Sequence, residues 1–325
     1  MQISILRKKE IQKIKHLLSV YKFNDYISYR RLSKVMLEKY LFSQIVSLLK
    51  NNRSWVIVAY GDEEKEPVGL ATVSSLVWDT EHFGFKMAKV DHLLVKGDYT
   101  QAVYLKSKLL DYALKLCKNK KFSHLSCRIN IDDISSIHTL EANSFRLMDT
   151  LVTYAFNRYK HKTPKLRDLC KVREFKKQDL SYLIKISEKA FHRDRFHLDP
   201  YISDKKADCL FGEWIKNCCS GEYADKIFVA VKGNQPIGFL TFRLNEELKK
   251  MTGHKICGRG LSAVSPKVKG IYPALTKAAI QEIVLNYDYL EFDTQLNNYE
   301  VIKVWRRFGF DFIRAKYTFH KWLGN

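Results

Sequence analysis

The strongest constraint on this chain is that it nearly repeats itself. Val68-Gly69-Leu70-Ala71-Thr72-Val73 is answered in the second half by Ile237-Gly238-Phe239-Leu240-Thr241-Phe242. Asn143-Ser144-Phe145 and Phe308-Gly309-Phe310 each stand just behind a helical pattern. Each parallel is short, but they fall in the same order in both halves. Such a chain is expected to fold as two copies of one unit, here read as αββ–β–α–β–α–β. A length of 325 residues suits two domains of ordinary size. The copies are assigned to residues 1–160 and 171–325. The basic stretch 157–170, with Pro164, is predicted to be the linker.

Periodicity supplies the elements. Ile11, Ile14, Leu17 and Leu18, then Val35, Leu37, Leu41 and Ile45, recur at helical spacing, so residues 1–50 read as helical. Strands are predicted at Trp55–Tyr60, Val68–Leu76 and Val90–Val95, with Trp78–Phe85 interrupting the pattern. A helix over Gln101–Lys118, a strand at His124–Ile129, a helix over Asp132–Ala142 and a strand pair through Phe145–Phe156 complete the first copy. The second copy opens with helices at Leu180–Phe191 and Ala207–Cys218 and paired strands at Ile227–Val231 and Ile237–Leu244.

The stretch from Cys257 to Phe310 carries the chemistry. A strand, Gly260 to Val264, leads into a basic loop, Lys267-Val268-Lys269-Gly270-Ile271-Tyr272, and then a helix from about Pro273. A helix start directs free backbone N–H groups and the positive end of its dipole at whatever precedes it. Strand, basic glycine loop and helix therefore predict a pocket for an anionic group.

Composition narrows the classes. A net charge of +21, spread over both halves, steers anions such as nucleotides or coenzyme phosphates without selecting one. The seven cysteines include no Cys-x-x-Cys pair, so neither a disulfide framework nor a zinc site is expected, and reduced thiols fit a reducing compartment. No apolar run reaches membrane-spanning length, and Met1–Glu10 has no signal-peptide pattern. A cytoplasmic protein is expected.

With these residues in place, the sequence resembles the GCN5-related N-acetyltransferase (GNAT) superfamily, as two tandem copies over nearly the whole chain. It is similar to one branch in particular, the dTDP-fucosamine acetyltransferase-like proteins of bacterial surface-glycan synthesis. Four ordered segments carry that likeness: Trp78 to Gly84, Arg195-Phe196-His197-Leu198-Asp199-Pro200, Thr294 to Asn298, and Tyr317, His320 and Trp322. The resemblance implies an α/β (α+β) fold in which each copy is a mixed, mostly antiparallel twisted sheet flanked by helices. It implies acetyl-CoA as cosubstrate of the second copy and no metal. The expected acceptor is a small-molecule amine, an amino sugar in nucleotide-linked form; nucleic acid is not the expected partner, and a homodimer is compatible.

The family's loop pattern maps onto Lys267, Val268, Lys269, Gly270, Ile271 and Tyr272, where Lys267 keeps the leading charge and Tyr272 crowds the last position. Gly270 permits close approach of backbone to a pyrophosphate. Leu261, Ser262, Ala263 and Val264 are expected to offer backbone N–H groups to the thioester, and Asn298 to hydrogen-bond the coenzyme. The first copy offers only Lys96-Gly97-Asp98-Tyr99 there and reads as a degenerate copy walling the acceptor pocket. Amine acetylation needs a neutral amine, a donor for the carbonyl oxygen and an acid for the leaving thiolate. The family's acid is a tyrosine; Trp305 stands at its place, and an indole N–H donates a hydrogen bond but no proton. Water, Tyr272 or Tyr299 are the substitutes. Glu81 and His197 are the acceptor-side catalytic candidates, alongside Asp79, His82, Arg195 and Asp199. Two other classes remain: a peptidoglycan-bridge aminoacyl transferase using charged tRNA, and a catalytically inactive coenzyme-binding scaffold.

Overall fold

The computed structural model describes residues 1–61, 66–162, 170–258 and 260–324. Half of the predicted linker, 163–169, lies outside them. The chain forms two compact units, Met1–Met148 with Ala315–Asn325, and Asp149–Arg314. These bounds differ from the expected 1–160 and 171–325 because the last strand returns to the first unit. Backbone pairing there is decided by a partner far away in sequence, which local periodicity does not report.

The first unit contains β1 (Gln2–Ile5), a 3-10 segment (Lys8–Ile14), α1 (Lys15–Val20), α2 (Lys34–Lys50), β2 (Ser54–Tyr60), β3 (Pro67–Ser75), α3 (Val77–Phe83), β4 (Met87–Val95), α4 (Tyr99–Asn119), β5 (His124–Asn130) and α5 (Ile134–Ala142). Residues 2–5, expected to be helical, instead pair antiparallel with β2, from Gln2 opposite Tyr60 to Ile5 opposite Ile57. Trp78 to Phe83, expected as an interruption, is the short helix α3, stopped by Gly84 in the left-handed conformation. Phe145–Phe156, expected as two strands, is one twelve-residue strand, β6 (Arg146–Asn157), which leaves the first unit and enters the second. The sheet order is β1-β2-β3-β4-β5, and β5 also pairs with Lys316–Trp322 of the closing strand β13 (Asp311–Trp322). Among the described residues of this unit, only the β4–β5 pair is parallel. Eight of the nine residues of β3 are buried, as a central strand between covered faces requires. α4 buries Ala102, Leu109, Leu110, Ala113 and Cys117 at helical spacing.

The second unit repeats this order: β7 (Lys171–Glu174), α6 (Leu180–Ser187), α7 (Asp204–Cys219), β8 (Lys226–Lys232), β9 (Gln235–Leu244), α8 (Glu246–Thr252), β10 (Ile256–Gly258), β11 (Ser262–Val264), α9 (Tyr272–Asn286), β12 (Tyr289–Gln295) and α10 (Tyr299–Arg307). Its sheet runs β6-β12-β10-β9-β8-β7, with β11 on β9; β10–β12 is its parallel pair. The repeated glycine has the same steric reason in both copies. Gly69 lies opposite Val95 and Gly238 opposite Val264. A Cβ at Gly69 would come within 2.9 Å of Val95 Cγ1, and one at Gly238 within 3.2 Å of Val264 Cγ2.

Entry into α6 is fixed by a buried carboxylate. Asp179 accepts two bonds from the Arg173 guanidinium, at 2.7 and 2.9 Å, and one from the Lys176 N–H at 2.8 Å. These bonds, Arg173 first, hold its pKa below the ordinary 3.8. Asp179 therefore adds stability that is present above pH 3.8 and is lost as pH falls through its lower folded value. Asp179→Asn is expected to cost on the order of 3 kcal/mol at pH 7, because it leaves Arg173 without its bidentate partner. Urea unfolding at pH 7 and pH 3 checks this; the variant should fall well below wild type at pH 7, and the gap should narrow at pH 3.

Candidate active site

In the second unit the parallel neighbour of β12 lasts only two residues, Ile256 opposite Tyr289 and Cys257 opposite Leu290. The chain then shifts at Gly260, where a Cβ would lie 1.7 Å from the Thr241 carbonyl oxygen, so only glycine fits. It resumes as β11, which pairs with β9 alone. Thr241 secures the new course: its N–H donates to the Leu261 oxygen at 2.9 Å, and its hydroxyl accepts from the Leu261 N–H at 2.7 Å.

This register sorts the four predicted thioester contacts. Successive backbone groups on a strand point to opposite edges. Leu261 is bonded to Thr241, and the Ser265 N–H donates to the Ile237 oxygen at 2.8 Å. Leu261 and Ala263 are thus turned towards β9. Ser262 and Val264 present their N–H groups on the edge without a strand partner.

Seven residues, 265–271, join β11 to α9. Lys267 and Lys269 are exposed on this loop, Val268 is half-buried with its N–H on the Ser265 oxygen, Gly270 has φ +77°, and Ile271 is buried. Its shape suits an anion: a turn, two free cations and the start of a fifteen-residue helix. The first unit has only three residues, 96–98, in the same place, and Asp98 accepts from the Gln101 N–H at 2.9 Å. A carboxylate already sits on that helix start and repels a phosphate.

Tyr272 begins α9, and its hydroxyl is the meeting point of three elements. Trp305 Nε1 of α10 donates to it at 3.1 Å, and Ser262 Oγ of β11 lies 3.4 Å away. Burial raises the Tyr272 pKa, so the phenol keeps its proton through neutral pH. Trp305 itself is 1% exposed, stacked on Phe292 and Phe310 at 5.6 and 6.3 Å between centroids. It is a core residue whose one polar atom donates to the Tyr272 hydroxyl.

Asn298 is the N-cap residue of α10, but its side chain makes no capping bond. Its Nδ2 donates to Thr294 Oγ1 at 2.9 Å, and its Oδ1 faces Arg193 at 3.5 Å. Arg193, which the sequence did not single out, also donates to the Asn297 oxygen at 3.2 Å. Its only sequence signal is its place in the charged run His192-Arg193-Asp194-Arg195.

Neither acceptor-side candidate takes part in the bonds among Tyr272, Trp305 and Ser262. Glu81 is exposed on α3 of the first unit. His197 is nearly buried, with Nδ1 2.5 Å from Asp194 and Nε2 3.1 Å from Asp208. Burial pulls its pKa down, but the two carboxylates outweigh it and hold the imidazolium above the usual histidine value. With both nitrogens engaged, His197 is poorly suited to take a proton from an amine. Two of the recognised segments do meet, within the first unit: Phe85, next to Trp78–Gly84, packs 4.9 Å from Trp322, and His124 packs against both His320 and Trp322.

No established family profile matches the chain. One curated protein, the spore coat polysaccharide biosynthesis protein SpsD of Bacillus subtilis, is 26% identical over 149 residues, which is 45% of this chain and 48% of that protein. The match therefore spans about half the length of its relative. Among solved structures, a tandem GNAT protein from the clavulanic acid biosynthesis pathway aligns over 100% of this chain and 99% of its own, at 13% identity and a TM-score of 0.59. A GCN5-related N-acetyltransferase from Sphaerobacter thermophilus aligns over 100% and 96%, at 12% identity and a TM-score of 0.59. The repeated units and the full-length alignments agree: this chain has the mixed α/β tandem GNAT fold.

Proposed function

We propose that the second unit is an acyl-CoA-dependent N-acyltransferase whose acceptor is an amino sugar, in nucleotide-linked form, used for a bacterial surface glycan. The observation that carries the reading is the junction of β11, α9 and α10. An edge with two unpaired N–H groups, a basic anion loop and a protonated phenol adjoin one another there. The polysaccharide role of the partial relative supports the acceptor class.

Acetyl-CoA, when bound, supplies the activated acyl thioester. The Ser262 and Val264 N–H groups would be the donors available to the bound thioester, where fixed donors favour a developing oxyanion. Lys267 and Lys269 offset pyrophosphate charge, and the α9 start adds its free N–H groups. Pro273 lacks an N–H, which removes no bond that the first turn of a helix would make. Tyr272 would give the departing thiolate its proton, with Trp305 holding the hydroxyl, and the proton lost by the acylated amine would return to Tyr272 through solvent. Tyr272 thus takes the part that the resemblance assigned to a tyrosine on α10, from the opposite side. Because His197 is saturated by Asp194 and Asp208, it is left out of the proton path, and Glu81 carries no assigned role.

Acetyl-CoA should raise the melting temperature of the wild-type protein, and an amino-sugar panel should show thiol release with one acceptor class. Absence of any shift with acetyl-CoA sinks the reading. Tyr272→Phe should keep that shift while kcat falls by about 10²-fold; unchanged turnover removes Tyr272 from the mechanism. Trp305→Phe keeps the ring stack and deletes the donor, so it should cost about 1 kcal/mol in urea unfolding and lower kcat with little change in KM. Trp305→Ala should cost about 3–5 kcal/mol by leaving a cavity.

A further inference from the structure

The segment between α6 and α7 holds a second cluster, independent of the coenzyme reading. His192, His197 and Asp208 each offer one donor atom, and these atoms all lie within 4.8 Å of one another. The surroundings of the two rings are what single it out. His192 Nε2 lies 3.0 Å from the Lys189 carbonyl oxygen. A carbonyl oxygen only accepts, so this nitrogen carries the proton and Nδ1 keeps a lone pair. His197 Nδ1 lies 2.5 Å from Asp194, which leaves Nε2 facing Asp208 at 3.1 Å. Each ring therefore has its outer nitrogen tied to an acceptor, one a backbone carbonyl and one a carboxylate. Proteins fix the tautomer and direction of metal-binding histidines in this way.

Access is graded in a useful manner. The His197 side chain is 5% exposed, that of Asp208 is 35% exposed, and His192 is exposed. One ligand is anchored in the fold, and the other two stand at the mouth. Stacking supports the anchor: the Phe211 ring of α7 lies parallel to those of Phe191 and His197.

We propose that His192 Nδ1, His197 Nε2 and the Asp208 carboxylate form a site for a divalent transition metal of the Zn²⁺ type, with solvent as the fourth ligand. Two imidazoles and a carboxylate suit zinc, cobalt or nickel better than magnesium or calcium, which prefer oxygen alone. The cation takes the place of the proton between His197 and Asp208, and that proton passes to solvent. Asp194 is a positioning residue that turns the His197 ring. The absence of Cys-x-x-Cys pairs does not bear on this site, since its donors are imidazole and carboxylate. Metal would clamp the loop carrying Arg195–Pro200 onto α7.

The test uses full-length protein stripped of metal at pH 8. Zn²⁺ is titrated by calorimetry, and Co²⁺ is followed by its visible absorption. One equivalent of either metal should bind, without a thiolate charge-transfer band, and Zn²⁺ should raise the melting temperature. His192→Ala, at an exposed position that tolerates truncation, and Asp208→Asn should each weaken Zn²⁺ binding at least about tenfold. Asp194→Asn should weaken it by about 10–100-fold, as loss of an outer partner does. Cys209→Ser, next to Asp208 and exposed, should leave it unchanged. If the stripped protein takes up no stoichiometric Zn²⁺, or if His192→Ala and Asp208→Asn bind as wild type does, the site is an ion pair between His197 and two carboxylates and the proposal falls.

Discussion

The contact on which the second unit turns is that of Gly260 with the Thr241 backbone. At that point one strand stops pairing with β12 and continues along β9 only. A strand held on both edges has no N–H to spare. Shifted by one residue against β9, from Gly258 opposite Arg243 to Ser262 opposite Leu240, β11 keeps one bonded edge and frees the other, so Ser262 and Val264 face outward. Thr241 makes the shift definite by bonding Leu261 with both its N–H and its hydroxyl. The first unit does the same with different means. There β4 stays in register with β5 only from Met87 to Val90, and the irregularity falls between Thr72 and Val73 on β3.

What separates the copies is therefore not the sheet but the loop behind it. Seven residues with two lysines and a glycine at positive φ leave a helix start open to an anion; three residues with Asp98 close it. A single carboxylate suffices because a helix N-terminus has only a few free N–H groups, and any phosphate must compete with a covalently tethered anion. The same fold can thus carry a basic, open loop in one copy and a short, acid-capped one in the other.

Much of this was legible from letters alone. The repeated Gly in Val68–Val73 and Ile237–Phe242 reports a real steric need, because each faces a valine one strand away. The loop 267–272 and the helix behind it follow from glycine, charge and apolar spacing, all local signals. What stayed hidden was long-range. Tyr317–Trp322 reads as the end of the second copy, yet it pairs with β5 of the first, a choice made by tertiary pairing. Gln2–Ile5 was lost for the same reason. His197 looked like a free base because sequence shows that Asp194 is near but not that Asp208, eleven residues on, reaches the other nitrogen.

Trp305 and Tyr272 show how a residue-by-residue comparison misses a contact made between elements. Considered separately, Trp305 is a missing acid and Tyr272 an obstruction in a loop that prefers a small residue. In the fold they form one device. The indole, too large to be mobile among Phe292 and Phe310, holds its N–H at a fixed point, and the phenol rests on it. A tyrosine placed on α10 would need its own orienting partner. A tyrosine on α9, oriented by the buried indole, brings its hydroxyl to the same strand edge from the other side. The bulk at position 272 is what lets its hydroxyl reach the indole N–H, and the tryptophan is held by packing as well as by that single hydrogen bond.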